Sequence, residues 1–473
     1  MDITLIGWIF IILCIYALIK SRNFLLDLLV FSSVFTAAAV INIESTTTGI
    51  QPFYFVGVVW IITVAIKQIK KGMIKERLLI HFKENKLIKS LCMFGVIIIL
   101  SEFWILIFNN KFTFVDTKTS ELMTASFSKS NITQPMFLLF MVVIAILLCI
   151  ELNTKSKIIR CMKVFGIATI FALVWGIAQF CMFYMNLSYP DWIFNNNISY
   201  LQLFYQMIYG LKRVNSVALE PSTFALNIIV FLPTVIILWI VEYKIFKDKN
   251  KSKILLSISL FLAMICGILT TSTTAYIGIA LIIIIVTIYI LFLSQKDGEL
   301  RKNKRKIILF YLFMILSIIF IVLLATKIFN MYWGTLWDAL MDITIKKKNL
   351  ETGSERGNAI LTSINILKAS PILGIGFGTF RSLDLTTNLL SNMGVLGLLS
   401  YLYVIYISIK NILLNIKKSE FMVLALGVTL LVSTISLMIS IPDLIFGYYW
   451  ILIVVVNNYF IKDKEEKQVE NRN

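Results

Sequence analysis

Long apolar runs recur along almost the whole chain and alternate with short polar stretches rich in lysine and arginine. A helix needs about 20 predominantly apolar residues to cross a bilayer, so runs of this length predict membrane spans. The pattern therefore predicts an all-α, polytopic transmembrane helical bundle of about 12–14 spans. The candidate spans are residues 3–19, 24–43, 49–66, 90–108, 135–151, 161–186, 223–242, 254–272, 275–294, 307–326, 389–409, 420–441 and 446–461.

The basic residues predict one orientation for these spans, because lysine and arginine accumulate in cytoplasmic loops. With the N-terminus outside and the C-terminus inside, the cytoplasmic segments hold 32 of the 44 basic residues and the outer loops hold 12. The first apolar run lacks a basic flank and a cleavage site, so we expect a retained helix rather than a signal peptide. Three outer loops are longer than hairpins: 109–134, 187–222 and 327–388.

Composition favours a membrane protein and excludes several other classes. Of 473 residues, 59% are hydrophobic and 15% charged, so residues 1–473 are predicted to form a single integral membrane domain. A net charge of +18 would suggest nucleic acid as a partner of a soluble protein. Here the basic residues lie in short loops that set topology, and no nucleic acid is expected. One histidine, His81, and six cysteines without a CxxC pair predict no metal site, and no cofactor is expected.

The third outer loop, 327–388, is the longest. Its part from 328 to 350 has apolar and aromatic positions followed by three lysines, which predicts an amphipathic helix on the outer membrane surface. Ile360, Ile364 and Leu367 recur at helical spacing and predict a second helix, which Pro371 would end. The loop 187–222 is rich in aromatic residues, and the loop 109–134 suggests no function.

Two stretches in the outer loops contain residues that could carry chemistry. The first runs from Arg213 through Glu220-Pro-Ser222 into the seventh span, and the second runs from Arg356 to Asn388. Each places an arginine outside the bilayer beside a span, where a guanidinium fork suits the oxygens of a lipid phosphate or pyrophosphate. Headgroup snorkelling and surface ion pairs also explain such positions.

Three further features each allow two explanations. Glu220 precedes Pro221 at the start of a span, which suits a helix N-terminus, and it is equally a candidate catalytic base or ligand for a sugar hydroxyl. The run 374–378, Gly-Ile-Gly-Phe-Gly, lacks the preceding strand that a dinucleotide-binding motif requires. It is a nest of amide donors for an anion or, more simply, a tight turn. Glu102 and Asp27 lie within predicted spans, and because a proton-coupled transporter would use such acidic groups, a transporter remains an alternative function.

On these residues the sequence resembles the O-antigen polymerase and ligase superfamily of bacterial envelope glycan assembly. The run from Arg356 through Ser370-Pro-Ile-Leu-Gly-Ile-Gly-Phe-Gly-Thr-Phe380 is close to the arginine and glycine signature of that family. Glu220-Pro-Ser222 is similar to an element of polysaccharide polymerases. The resemblance covers residues 213–224 and 353–397, and it implies a GT-C-like membrane enzyme with a large extracytoplasmic loop late in the chain.

The resemblance implies a metal-independent glycosyltransferase of the bacterial cytoplasmic (inner) membrane, with its active face extracytoplasmic. Donor and acceptor would be glycans on undecaprenyl pyrophosphate, delivered by a flippase, with a chain-length regulator and membrane lipid as further partners. Arg213 and Arg356 would bind the pyrophosphate and stabilise its growing charge, and Glu220 would orient or deprotonate the acceptor hydroxyl. The other expected substrate contacts are Lys212, Ser222, Arg381 and Asn388.

Departures from the family pattern favour a polymerase of the Wzy type over a ligase. Ligases that resemble this chain place a histidine in the large outer loop, whereas His81 lies in a predicted cytoplasmic loop. Thr387-Asn388 stands where the family often has His-Asn, and Asn392-Met-Gly394 where it often has Glu-x-Gly, which leaves acceptor activation open. An envelope glycan ligase is the alternative enzyme. A lipid-linked glycan flippase or other transporter is the alternative of another class, although we find no internal repeat.

Overall fold

The computed structural model describes residues 1–70, 85–116, 121–208, 211–294, 351–414 and 421–470, together with Ile308 and Leu312. The chain divides into two compact units. Among the described residues, the first unit contains 1–56, 161–208, 211–294 and 421–433, and the second contains 57–70, 85–116, 121–160, 351–414 and 434–470. Each unit is therefore assembled from segments that are distant in sequence.

Helices account for most of the described chain, as the apolar runs predict. They are α1 (Leu5–Lys20), α2 (Arg22–Ser32), α3 (Pro52–Lys70), α4 (Lys86–Ile107), α5 (Ser130–Glu151), α6 (Lys155–Tyr184), α7 (Asp191–Phe194), α8 (Leu201–Phe204), α9 (Pro221–Ile240), α10 (Lys249–Leu269), α11 (Thr273–Ser294), α12 (Glu351–Ala369), α13 (Leu385–Leu414), α14 (Phe421–Ser440) and α15 (Gly447–Glu470). The described strands are short and antiparallel: β1 (Asp2–Ile3), β2 (Ile41–Ile43) and β3 (Thr48–Ile50) in one sheet, and the hairpins β4 (Thr113–Val115) with β5 (Leu122–Thr124) and β6 (Met207–Ile208) with β7 (Leu211–Lys212).

Seven described helices are long and apolar enough to cross a membrane, and all seven lie at predicted spans: α4, α5, α6, α9, α10, α13 and α14. Shorter apolar helices, α1, α2, α3, α11 and α15, lie at five other predicted spans. The predicted span 307–326, the predicted amphipathic helix 328–350 and His81 lie outside the described residues. The chain is thus a multi-pass helical membrane protein, as the sequence predicts.

The second predicted span, 24–43, is wrong in its C-terminal half, because α2 ends well before the apolar run does. The backbone that follows is irregular and buried, so its amides need partners inside the protein. Ala37 donates to the carbonyl oxygen of Val217 (3.1 Å). Ala39 donates to Oδ1 of Asn196 (2.9 Å). The loop 187–222 therefore supplies the partners that a continuous helix would have found within itself.

Helix α9 is almost entirely enclosed by protein, and 89% of the residues in its apolar stretch are buried. It is apolar on all sides, which is the pattern of a helix surrounded by protein. In the first unit it packs against α10 and α11. Pro221 occupies its first turn, where the missing N–H costs no hydrogen bond, and Glu220 is its N-cap. Glu220 is therefore attached to a rigid, buried element.

In the second unit α4 packs along α13, and a small apolar cluster forms beyond the end of α4. The cluster consists of Ile105, Ala125, Ile366, Ile375 and Phe380. The ring of Phe114, in β4, packs edge-on against the Phe380 ring with centroids 5.4 Å apart. The loop 109–134, which suggested no function from sequence, thus packs against the segment that follows α12.

Candidate functional site

Arg213 lies in the first unit, between β7 and α9. Its Nε donates to the carbonyl oxygen of Thr270 (3.3 Å) and to Oγ1 of Thr271 (3.2 Å). Its Nη1 donates to Oε1 of Gln206 (2.7 Å). The two threonines form the turn between α10 and α11, so two separate segments fix the guanidinium. The second amino group, Nη2, has no hydrogen-bond partner among the described residues.

Burial and a neighbouring charge shift the pKa of Arg213 in opposite directions. Removal from water lowers the pKa of the guanidinium, and the nearby carboxylate of Glu220 raises it. Arginine stays protonated under physiological conditions, so the result is a partly desolvated cation beside one carboxylate. Electrostatic attraction strengthens away from bulk water, and such a cation is better suited to phosphate oxygens than an exposed arginine.

Glu220 stays partly exposed at the start of α9. Its backbone N–H donates to Oγ1 of Thr223 (3.0 Å), and the Thr223 hydroxyl donates back to the Glu220 carbonyl oxygen (2.8 Å). The Ser222 hydroxyl donates to Oε1 of the Glu220 carboxylate. The Glu220 carboxylate also accepts from the backbone N–H of Thr223, which completes a capping box. The helix-cap explanation therefore holds for backbone and side chain, and the carboxylate is still partly exposed.

Aromatic rings surround the ammonium of Lys212. Its Nζ lies 4.2 Å from the ring centroid of Tyr205 and 5.0 Å from that of Phe183, and it donates to the carbonyl oxygen of Phe204. Burial lowers the pKa of Lys212 to about 8, and the charge of Asp191 partly offsets that effect. The charge of this lysine therefore changes in the mildly alkaline range.

The arginines of the second stretch lie in the second unit and differ from each other. Arg356 is half-buried in α12, and its guanidinium makes no hydrogen bond or ion pair with another described residue. Arg381 is exposed and pairs with Asp443, with Nη2 2.8 Å from Oδ2. The ion-pair explanation therefore fits Arg381, whereas no described residue neutralises Arg356.

Two glycines interlock the turn after α12 with a kink in α13. Gly374 has a φ of 67° and Gly394 a φ of 65°, in the left-handed region that other residues avoid. A Cβ on Gly374 would lie 2.4 Å from the carbonyl carbon of Asn392, and one on Gly394 would lie 2.3 Å from that of Ile372. Each glycine thus lets one backbone approach the other.

Protein groups accept hydrogen bonds from backbone amides of this turn. Gly376 donates to the carbonyl oxygen of Asn392 (3.0 Å). Phe377 donates to Oε1 of Glu102 (2.6 Å), and Nδ2 of Asn131 donates to Oγ1 of Thr379 (2.7 Å). The structure therefore favours a tight turn over a nest for an anion. Glu102, an acidic group within a span, holds this turn.

Asn388 is buried with its amide in contact with three neighbours. Its Oδ1 accepts from the backbone N–H of Ser382 (3.2 Å) and from Nδ2 of Asn392 (2.9 Å). Its Nδ2 donates to the carbonyl oxygen of Pro442 (3.1 Å). Asn392 in turn accepts from the N–H of Phe380 (3.1 Å). Asn388 therefore shapes this segment, and its contact with a sugar stays a prediction.

The structure brings part of the predicted site together. Lys212, Arg213, Glu220 and Ser222 lie together in the first unit, and Arg356, Arg381 and Asn388 belong to the second. Within the described ranges, no three His, Cys, Asp or Glu side chains are grouped so as to hold a metal ion.

The sequence pattern does not single out the residues that hold Arg213 and the backbone after it: Gln206, Thr271 and Gln179. The polar run 270–274, Thr-Thr-Ser-Thr-Thr, is the signal that points to one of them. It separates the apolar runs of α10 and α11, and its hydroxyl and carbonyl oxygens can accept from a motif arginine. Gln206 and Gln179 have no comparable signal.

Residues 258–388 match the O-antigen ligase family model. This match supports the O-antigen polymerase and ligase superfamily, so the resemblance seen in the sequence is confirmed. The matched segment includes Arg356, Arg381 and Asn388, and also the threonine turn that holds Arg213. It does not extend to the 213–224 stretch. No curated protein matches the chain at a significant level.

Proposed function

We propose that this protein polymerises oligosaccharide repeat units carried on undecaprenyl pyrophosphate, for O-antigen, capsule or exopolysaccharide. The acceptor hydroxyl oxygen forms a bond to the anomeric carbon of the donor glycan. The bond from that carbon to the pyrophosphate oxygen breaks, and its electron pair stays on the departing lipid pyrophosphate. Glu220 takes the hydroxyl proton as a general base. The reaction takes place at the outer face of the cytoplasmic membrane, with the N-terminus outside.

The observation that carries the proposal is the fixed, partly desolvated Arg213 beside Glu220. A cation held before reaction stabilises a leaving pyrophosphate without reorganising, which is often a large catalytic contribution. Nη2 of Arg213 is directed by the bonds of Nε and Nη1 and can donate to a phosphate oxygen. The partly exposed carboxylate of Glu220 can accept from a hydroxyl. Arg356 is the candidate for a pyrophosphate contact in the second unit.

The family match supports a membrane enzyme that handles lipid-linked glycan, and polymerase is the finer part of the proposal. Glu220-Pro-Ser222 resembles a polymerase element, and the predicted outer loops contain no histidine. A ligase is the second candidate, because the matching family model is described as O-antigen ligase. A ligase would transfer finished glycan from the same carrier to another acceptor, so both activities need the same leaving group. Delivery by a flippase and control by a chain-length regulator are further parts of the proposal.

A gel of surface glycan from a deletion strain tests the proposal. The strain is complemented at matched protein levels with wild type, Arg213→Ala, Arg213→Lys, Arg356→Ala or Lys129→Ala. Lys129 is an exposed lysine of the first outer loop and has no role in the proposed site, so it controls for loss of one outer charge. We expect wild type and Lys129→Ala to restore the ladder. Arg213→Ala and Arg356→Ala should leave a single capped repeat unit, and Arg213→Lys should give a weak ladder because it keeps the charge without the fork.

Other outcomes point elsewhere. Full-length polymer left on the lipid carrier in the deletion strain would establish a ligase. Lipid-linked units retained on the inner face would establish a flippase. Full ladders from both alanine variants would refute the assigned arginines.

A further inference from the structure

The backbone between Arg213 and Glu220 is buried but neither helical nor in a strand. Asn215 and Ser216 are fully buried, and Ser216 takes a left-handed φ of 54°. Irregular backbone inside a membrane protein is tolerated only where other protein groups satisfy its amides. Whatever satisfies this segment also decides where the two predicted catalytic side chains at its ends point.

One side chain, Gln179 of α6, satisfies the middle of the segment. Its Oε1 accepts from the backbone N–H of Asn215 (3.1 Å) and from that of Ser216 (2.8 Å). Its Nε2 donates to Oδ1 of Asn215 (3.0 Å). Gln179 is itself 1% exposed, so water cannot replace these bonds. Two successive amides thus depend on one buried oxygen atom.

The same part of α6 fixes Ser216 a second time. The Ser216 hydroxyl donates to the carbonyl oxygen of Ala172 (2.6 Å), about two turns before Gln179 on that helix. On the other side, Val214 donates to the carbonyl oxygen of Leu269 (3.1 Å), next to the threonine turn. The segment is therefore held between α6 and the end of α10.

We propose that Gln179 is a positioning residue for Arg213, acting through the Asn215 and Ser216 amides. The inference rests on the proposed function and extends it to a residue outside both motif stretches. Without the Gln179 oxygen, the amides of Asn215 and Ser216 both lose their acceptor, and the remaining bonds of Ser216 and Val214 no longer hold the backbone after Arg213 in one conformation. The guanidinium then loses its fixed direction while keeping its charge.

The test is a double-mutant cycle on purified protein in phospholipid nanodiscs. Consumption of lipid-linked repeat units extracted from the deletion strain is measured for wild type, Gln179→Met, Arg213→Lys and the double variant. Methionine has similar length and no oxygen acceptor. Thr169→Val is the matched control, since Thr169 is buried in the same helix and its hydroxyl has no hydrogen-bond partner among the described residues. Thermal unfolding and size exclusion establish that each variant is folded.

Gln179→Met should lower the rate by about ten- to a hundredfold in the wild-type background, as small misplacements of catalytic groups do. In the Arg213→Lys background the same substitution should lower the rate by less than about threefold, because the guanidinium that Gln179 positions is already absent. Thr169→Val should match wild type. If Gln179→Met does not fold, Gln179→Leu takes its place, since leucine also lacks an oxygen acceptor for the two amides, and the same non-additivity is expected.

An equal fold-loss of rate from the Gln179 substitution in both backgrounds would overturn the inference. A residue that only supports the fold lowers the rate by the same factor whether residue 213 is arginine or lysine. A Gln179→Met variant as active as wild type would also overturn it. Both results leave the proposed function standing as long as Arg213→Ala is inactive. Full activity of Arg213→Ala would instead refute the proposed function and the inference together.

Discussion

Replacing Gly374 with alanine probes the interlock between the turn after α12 and the kink in α13. Gly374 combines a left-handed φ of 67° with close backbone neighbours, so the substitution adds both conformational strain and overlap. Hydrogen bonds join α13 to the turn, since Val395 donates to the carbonyl oxygen of Pro371 (2.9 Å) and Gly376 donates to that of Asn392 (3.0 Å), so α13 cannot move away without losing them. We expect a large loss of stability from one methyl group.

The magnitude follows from the geometry. Holding an L-residue in the left-handed region costs about 1–2 kcal/mol. The new Cβ would lie 2.4 Å from the Asn392 carbonyl carbon and 2.5 Å from the Ser391 carbonyl oxygen, both backbone atoms that cannot turn aside. Overpacking of this kind costs about 1–3 kcal/mol. The free energy of unfolding should therefore fall by about 2–5 kcal/mol, a large part of the roughly 5–15 kcal/mol of a typical protein.

Gly357 provides the matched control. It lies in α12, and a Cβ there would meet nothing within 4 Å. Glycine in a helix interior is less favourable than alanine by about 0.5–1 kcal/mol, so Gly357→Ala should raise the free energy of unfolding by that amount. Replacement of glycine by alanine is thus expected to change the free energy of unfolding in opposite directions at these two positions of one motif stretch.

The assay is unfolding of the purified protein in mixed micelles, with the mole fraction of sodium dodecyl sulfate raised stepwise and tryptophan fluorescence as the signal. Refolding on dilution establishes reversibility. A Gly374→Ala variant within about 0.5 kcal/mol of wild type would refute the interlock, since surface changes alone stay in that range. Equal destabilisation by Gly357→Ala would show that alanine is harmful for some reason other than the conformation of residue 374.

Two further predictions concern a buried acid and a lysine. Glu102→Leu should lower the free energy of unfolding by about 1–3 kcal/mol, because the Phe377 N–H loses its acceptor, whereas Glu102→Gln keeps an oxygen and should stay near wild type in the same micelle titration. Identical values for the two variants would contradict a role for that hydrogen bond. Consumption of lipid-linked units should fall as pH rises through about 8, because burial lowers the pKa of Lys212 to about 8 and its charge is lost above that pH. Lys212→Arg stays charged and should remove the alkaline decline, and a decline that persists in this variant would assign it to another group.

The helices were largely predictable because their causes are local. A run of apolar residues long enough for a bilayer must satisfy its own backbone, which makes it a helix whatever its neighbours are. α12 and its end before Pro371 follow from spacing and from the geometry of proline, and Glu220 as the cap of α9 follows from Pro221. These features need no knowledge of distant residues.

The second predicted span shows where hydropathy stops being informative. The residues after α2 are as apolar as those of a membrane-spanning helix, yet their backbone is irregular. This is possible because Ala37 and Ala39 donate to acceptors in Val217 and Asn196. Apolar composition reports burial, and burial is common to both conformations. Only the arrival of a loop more than 150 positions away decides between them.

The sequence by itself determined that this is a multi-pass helical membrane protein, and it predicted that the arginines of its long loops are candidates for a phosphate ligand. It could not rank those arginines, since Arg213 and Arg381 are chemically the same side chain. The tertiary structure gave Arg381 an exposed ion pair with Asp443 and gave Arg213 a half-buried set of threonine and glutamine oxygens as hydrogen-bond acceptors. The physical reason is that desolvation and hydrogen-bond geometry depend on residues tens of positions away, whose approach no local pattern encodes.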